Sequence, residues 1–244
     1  MKSKSKVALN IAILFITISI FSFFQLEEQH KLSDIYFHTE LIRRIQEKEP
    51  LNTSMNFTIN NWQYENKTRN WTAEYVSNYP KMFHFICGSL PLSPETTIKL
   101  VVPILFALLC IGIFTICLSL GHNLNTGIIS IGLFLLASLS SWNYVWYYIN
   151  GVYSQLILNI ILVFGFAGLV YILRKKDKFK YIFLAILIGI FIPLIFLSHN
   201  IPTIPHAMEN APRFIPLIYS ILIPVLVGVV NNVYFKTKKT KKKM

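Results

Sequence analysis

Between residues 100 and 173 the chain carries no Asp, Glu, Lys or Arg, a charge-free run of 74 residues. Few folds accommodate such a run. A helix crosses the hydrocarbon core of a bilayer in about 20 mostly apolar residues, because the core is about 30 Å thick and each residue adds 1.5 Å. The run is too long for one or two spans and fits three. Its breaks fall at Gly121-His-Asn-Leu-Asn-Thr126 and in the aromatic stretch at residues 142–153. Composition agrees. Only 14% of the 244 residues are charged, against about 25% in soluble domains. With 54% hydrophobic and 14% aromatic residues, the chain is also unlike a disordered one. Cys110 and Cys117 lie inside the run and Cys87 beside it, with no spacing that predicts a disulfide framework or a thiolate metal site.

Three further apolar stretches, at residues 7–24, 181–197 and 214–235, bring the expected spans to six. Pro193, Pro216 and Pro224 read as kinks, which neighbouring helices can tolerate. Residues 7–24 lack a small-x-small cleavage site and read as an uncleaved signal anchor. The expected fold class is an all-α integral membrane protein of about six transmembrane helices. Its large external first loop would contain interfacial amphipathic helices. Four regions follow: a cytoplasmic tail with the first transmembrane helix (1–24), an external loop (25–99), a five-helix transmembrane bundle (100–235) and a basic cytoplasmic tail (236–244).

Charge orients the spans. With six of them, both termini share one side, which holds 14 basic residues against a single acid, Asp177. That side is +13 and the other is −1, which together make the +12 of the whole chain. Positive charge marks the cytoplasmic side. The expectation is therefore a multi-pass protein with both termini cytoplasmic, in the plasma membrane. The C-terminal lysines read as a solvated stop-transfer flank touching anionic lipid, with no nucleic-acid partner.

The external loop holds four Asn-x-Ser/Thr sequons, at Asn52, Asn56, Asn66 and Asn70, as suits a translocated segment. Three constellations lie on this face. In Leu32-Ser-Asp-Ile-Tyr-Phe-His-Thr-Glu-Leu-Ile-Arg-Arg-Ile45, Ser33 or Asp34 can cap a helix. Asp34, His38, Leu41 and Ile45 share one stripe of it, with Leu32, Ile35 and Ile42 on an adjacent one. The amphipathic segment is expected to lie in the interface plane. Asp34 is either that helix's cap or a carboxylate serving as base or metal ligand. In Tyr79-Pro-Lys-Met-Phe-His-Phe85, Pro80 starts a turn or a first helical turn. His84 there is either a packing residue among aromatics or a catalytic group. In His199-Asn-Ile-Pro-Thr-Ile-Pro-His-Ala-Met-Glu-Asn-Ala-Pro-Arg-Phe214, Arg213 stands at the outer end of the last span. It either anchors to lipid or holds a phosphate, for which a guanidinium is the best planar partner.

Taken in order, these motifs resemble the integral-membrane glycosyltransferases of the GT-C fold, a group that includes oligosaccharyltransferase catalytic subunits and protein mannosyltransferases. Ser33-Asp-Ile-Tyr-Phe-His38 with Leu41-Ile-Arg-Arg-Ile45 is similar to the family's first-loop aspartate and its helix. Tyr79-Pro-Lys-Met-Phe-His84 is similar to its Tyr-Pro-x-x-x-His element. Ile149-Asn-Gly-Val-Tyr-Ser-Gln155 opens the fourth span, and Pro212-Arg-Phe214 the last. The resemblance implies a transferase that takes a sugar from a polyprenyl-phosphate donor at the outer membrane face. Asp34 would be its base, and the ligand of a divalent metal (Mg or Mn) where one is used. Arg213 would clamp the phosphate, with His84, His38 and Glu209 as further substrate-binding residues.

The chain departs from the family in two respects. Members carry more spans or an added soluble domain, and the outer loop before the fourth span often supplies a second acid. Residues 142–153 contain none, although Glu209 could substitute. Trp142, Tyr144, Trp146, Tyr147 and Tyr148 could stack a sugar ring or form an interfacial aromatic belt. The alternative to a transferase is a non-catalytic relative that binds a lipid-linked glycan or assists a partner membrane protein. A transporter is a third reading, disfavoured because no span interior carries a charge.

Overall fold

The computed structural model describes residues 12, 33–61, 64–79, 81–140, 153–174, 179–198 and 221–228. Among them the chain is mostly helical. The elements are α1 (Ser33–Gln46), a hairpin of β1 (Met55–Asn61) and β2 (Tyr64–Trp71), α2 (Ala73–Asn78), α3 (Met82–Gly88), α4 (Pro94–Ser119), α5 (Leu124–Ser140), α6 (Tyr153–Arg174) and α7 (Lys180–Ser198). Two helices, α4 and α6, are long and apolar enough to cross a membrane. Of the expected first span, residues 7–24, only Ala12 is described, and it is helical. Of the expected last span, residues 221–228 are described, as helix.

Local chemistry accounts for the helix ends. Ser93 caps α4 by accepting from the Thr96 amide, with Pro94 in the first turn, where its missing N–H costs nothing. Asn123 does the same for α5, its Oδ1 accepting from the Thr126 amide at 2.9 Å. Between them Gly121 adopts φ +77°, a left-handed conformation that glycine reaches without a Cβ penalty. The break expected at residues 121–126 is thus a helix stop followed directly by a helix start.

Helix α4 packs against both α5 and α6, and α6 packs against α7. Arg174 at the C-terminus of α6 donates to the carbonyl of Ser119 at the C-terminus of α4, at 2.7 Å. The two long helices therefore run in the same direction, with their N-termini at one end of the bundle. That end is covered by α1 and α3, both of which pack on α4.

The segment expected as an external loop contains strands as well as helices, so the described residues are mostly helical rather than all-α. Residues 55–71 form an antiparallel hairpin that pairs Met55 with Trp71, Asn56 with Asn70 and Thr58 with Thr68. Met55, Phe57 and Ile59 alternate with polar residues, the period of a half-buried strand. Met55 is buried with Phe37, Leu41 and Val76 in a small core between α1, α2 and the hairpin. A larger core fills the bundle and takes in Ile42, Phe83 and Cys87 from the covering helices. Helix α1 thus contributes to two cores, with Phe37 and Leu41 to one and Ile42 to the other. Its apolar face is covered by protein. The three cysteines are free and buried.

Candidate functional site

His38 stands between the two cores of α1 and is 2% exposed. His84, on the short helix α3, is fully buried. Nδ1 of His38 lies 2.7 Å from Nε2 of His84, and the two rings stack with their planes 20° apart. A neutral imidazole has one N–H donor and one acceptor nitrogen. One ring therefore donates to the other, and the tautomers of the two are linked.

Aromatic rings enclose this pair. Tyr153, the first residue of α6, approaches the His38 ring with centroids 4.7 Å apart. Phe83 lies 4.8 Å from Tyr153 and 5.9 Å from His38. Tyr79 and Phe37 complete the wall, Tyr79 at 5.6 Å from His84 and Phe37 at 5.7 Å from His38. Water is excluded, so the hydrogen bond between the imidazoles is stronger than it would be in solvent. Three stretches far apart in sequence meet here: the helix after the first expected span, the Tyr79-to-His84 segment, and the start of α6.

Charged groups fix α1 from its far end. Arg43 pairs with Glu40 and Glu49, each at 2.8 Å, and also with Glu47. Arg44 binds Glu40 at 2.9 Å and the Thr53 hydroxyl at 2.7 Å, which ties α1 to the approach of β1. Hydrogen bonding to Arg43 holds the Glu40 carboxyl below the usual carboxylate range, against the opposing effect of burial. Hydrogen bonding to Arg43 likewise lowers Glu49. Lys81, just before α3, donates to the carbonyls of Ser77 and Tyr79 and so ties off the end of α2. Partial burial lowers its pKa.

Below the imidazoles, α6 carries a second buried polar pair. Nε2 of Gln155 donates to Oδ1 of Asn159 at 3.2 Å, and Oε1 of Gln155 is buried without a hydrogen-bond partner. Thr97 on α4 also buries an unpartnered hydroxyl. These are acceptors and donors placed among apolar side chains, where each unmet bond costs about 1–3 kcal/mol.

The expected site residues fare differently. His38 and His84 are brought together. Asp34 falls within the helical residues of α1, one turn before His38, rather than capping the helix from outside. Its side chain lies outside the described residues, as do Glu209, Arg213 and the aromatic stretch at 142–152. Among the described residues no group of three His, Cys, Asp or Glu side chains could hold a metal ion. His38 and His84 each turn a ring nitrogen toward the other, so by themselves they make no metal cage.

Tyr153, Gln155 and Asn159 are not among the expected site residues, although the first two fall in the Ile149-to-Gln155 motif. Tyr153 stands at the end of an aromatic stretch that reads as a belt. Gln155 and Asn159 did leave a signal: two amides four residues apart in an otherwise apolar run share a helix face. No family model, no curated protein and no solved structure matches this chain.

Proposed function

We propose that this is a six-span membrane protein that transfers a sugar from a polyprenyl-phosphate carrier at the outer face, as a reduced relative of the GT-C transferases. The observation that carries this reading is the meeting of His38, His84 and Tyr153 over the N-termini of α4 and α6. Three of the four motifs that suggest the family contribute a residue there, and the fourth, Pro212-Arg-Phe214, lies outside the described residues. A bilayer is supported by the outward faces of the helices. Helix α4 exposes Leu100, Ile104, Leu108 and Ile111 along one side, and α7 exposes Tyr181, Ile182, Phe183, Ile186 and Ile190. Apolar area of that extent is stable in lipid and costs about 25 cal/mol per Å² in water.

In this reading the donor enters sideways between helices and presents its sugar–phosphate to the covered end of the bundle. The acceptor hydroxyl gives its proton to Asp34, which α1 carries one turn from His38. The acceptor oxygen bonds to the sugar C1, the C1–O bond to the phosphate breaks, and the polyprenyl phosphate leaves with the electron pair. Arg213 balances the charge that develops on that phosphate. The buried imidazole pair joins α1 to α3 and so positions the helix that carries Asp34. Both termini lie in the cytoplasm, and the protein resides in the plasma membrane.

The test uses the full chain in vesicles with polyprenyl-phosphate-linked radiolabelled mannose or glucose. Release of polyprenyl phosphate is expected from the native chain and its loss from Asp34→Asn and Arg213→Ala. Saturable binding of the labelled lipid without any release would replace this reading with that of a lipid-glycan-binding protein. No binding and no release would end it.

A further inference from the structure

We propose that the β1–β2 hairpin carries N-linked glycans at Asn56 and Asn70 on its outward face. The sequons alone identify four candidate asparagines; the hairpin register sorts them. Met55 and Trp71 are cross-strand partners. Met55 is 2% exposed, and Trp71 packs its ring 5.1 Å from that of Phe37. This pair therefore defines the face turned toward α1 and α2. Successive strand residues belong to opposite faces, so Asn56 and Asn70, each one residue from that pair, belong to the other face. They are themselves cross-strand partners, and both are exposed.

The sequon also has the period of a strand. Asn56 and Thr58 of one triplet stand two residues apart in β1 and so fall on one face, while Thr72 of the Asn70 triplet lies just past β2, where its hydroxyl caps α2. Residues 56, 58, 68 and 70 belong to the outward face by this alternation, and Thr58 pairs with Thr68 across it, whereas Asn66 stands at the register irregularity opposite Ile59 to Asn61, where the alternation no longer assigns a face. Met55 and Trp71, on the opposite face, pack against the core of α1 and α2. A bulky, solvated glycan on the outward face therefore displaces no packed side chain. Asn52 differs. It precedes the strand, so no cross-strand register assigns it to the outward face.

The modification forms a bond between Nδ2 of the asparagine and C1 of a glycan. The C1–O bond to a polyprenyl-linked phosphate donor breaks, the lipid phosphate leaves with the electron pair, and the amide loses one proton. The host's own oligosaccharide transferase supplies donor and catalysis. The inference rests on the outward placement of the loop in the six-span reading, and not on the transferase reading.

The test expresses the full chain in sealed microsomes competent for N-glycosylation. It reads gel mobility before and after an amidase that cleaves Asn-linked glycans, and protease protection of the hairpin. Two amidase-reversible steps of mobility are expected, one lost in Asn56→Gln and the other in Asn70→Gln. Thr58→Val should act like Asn56→Gln even though Asn56 remains. A chain that stays unmodified overturns the proposal. Protection of its hairpin would show that the loop is translocated and the sites are passed over, whereas digestion would show that the orientation fails as well. Modification confined to Asn52 or Asn66 also overturns it.

Discussion

Nδ1 of His38 and Nε2 of His84 lie 2.7 Å apart, 46 residues distant in sequence and shut away from water. Neither ring has solvent to turn to if the other is removed. Leaving a buried polar group without its partner costs about 1–3 kcal/mol, whereas replacing both partners by apolar groups can be nearly neutral. His38→Phe and His84→Phe are each expected to lower stability in detergent by an amount in that range. The double variant should lose less than the sum, with a coupling of about 0.5–3 kcal/mol. A double-mutant cycle by denaturant titration measures this. Additive losses would mean that the bond contributes nothing.

Cys87 shares the core that joins α3 to the bundle, and burial pushes its thiol up to about 12. The thiolate is the reactive form. Between pH 7 and pH 9 the folded protein is therefore expected to react with maleimide at this position far more slowly than an exposed cysteine. Denaturant should restore the ordinary rate. Rapid native labelling of a variant that retains Cys87 alone would show that α3 lifts from the bundle.

The helical bundle was legible because its cause is local. A charge-free run must be buried or in lipid, and Gly121 and Asn123 mark the point where one helix stops and the next begins. The hairpin was less legible. Met55, Phe57 and Ile59 alternate at period two, but Asn56 and Thr58 between them draw a loop reading because they also form a sequon. The pairing of His38 with His84 has no local signal at all. Each residue reads equally well as packing or as chemistry until the fold brings α1 onto α3. Asp34 reads equally as a cap or as a first-turn residue, because a residue that caps well also sits well in the first turn, and the structure has it inside the helix.

Glu40 anchors α1 to its own C-terminal end through Arg43 and Arg44, with its side chain 18% exposed. Its carboxyl is held below the usual range, chiefly by the hydrogen bond to Arg43. A group whose folded pKa is depressed contributes stability that is present above its unfolded pKa and is lost as pH falls through the folded value. Glu40→Gln is therefore expected to lower stability at pH 7 by about 1–2 kcal/mol. The deficit should shrink as both proteins are acidified below the usual carboxylate range. A difference that stays constant with pH would mean that shape rather than charge holds α1 in place.

Gly88 ends α3 where that helix crosses α1, and a Cβ at this position would stand 2.5 Å from Cγ2 of Ile45. Such an atom forces the two helices apart unless Ile45 gives way. Because His84 on α3 and His38 on α1 lie on this same pair of helices, separation would also lengthen the imidazole contact. Gly88→Ala is expected to cost about 1–3 kcal/mol, the usual range for overpacking. It should also weaken any release of polyprenyl phosphate. Ile45→Ala removes the obstructing methyl at the expense of a partly buried side chain. The combination of Gly88→Ala with Ile45→Ala should then be more stable than the two single losses summed, and should regain part of the activity. Thermal melts of the four proteins decide the first point and the vesicle assay the second. No recovery in the double variant would locate the cost of Gly88→Ala in the end of α3 itself rather than in the crossing that sets the distance between the two histidines.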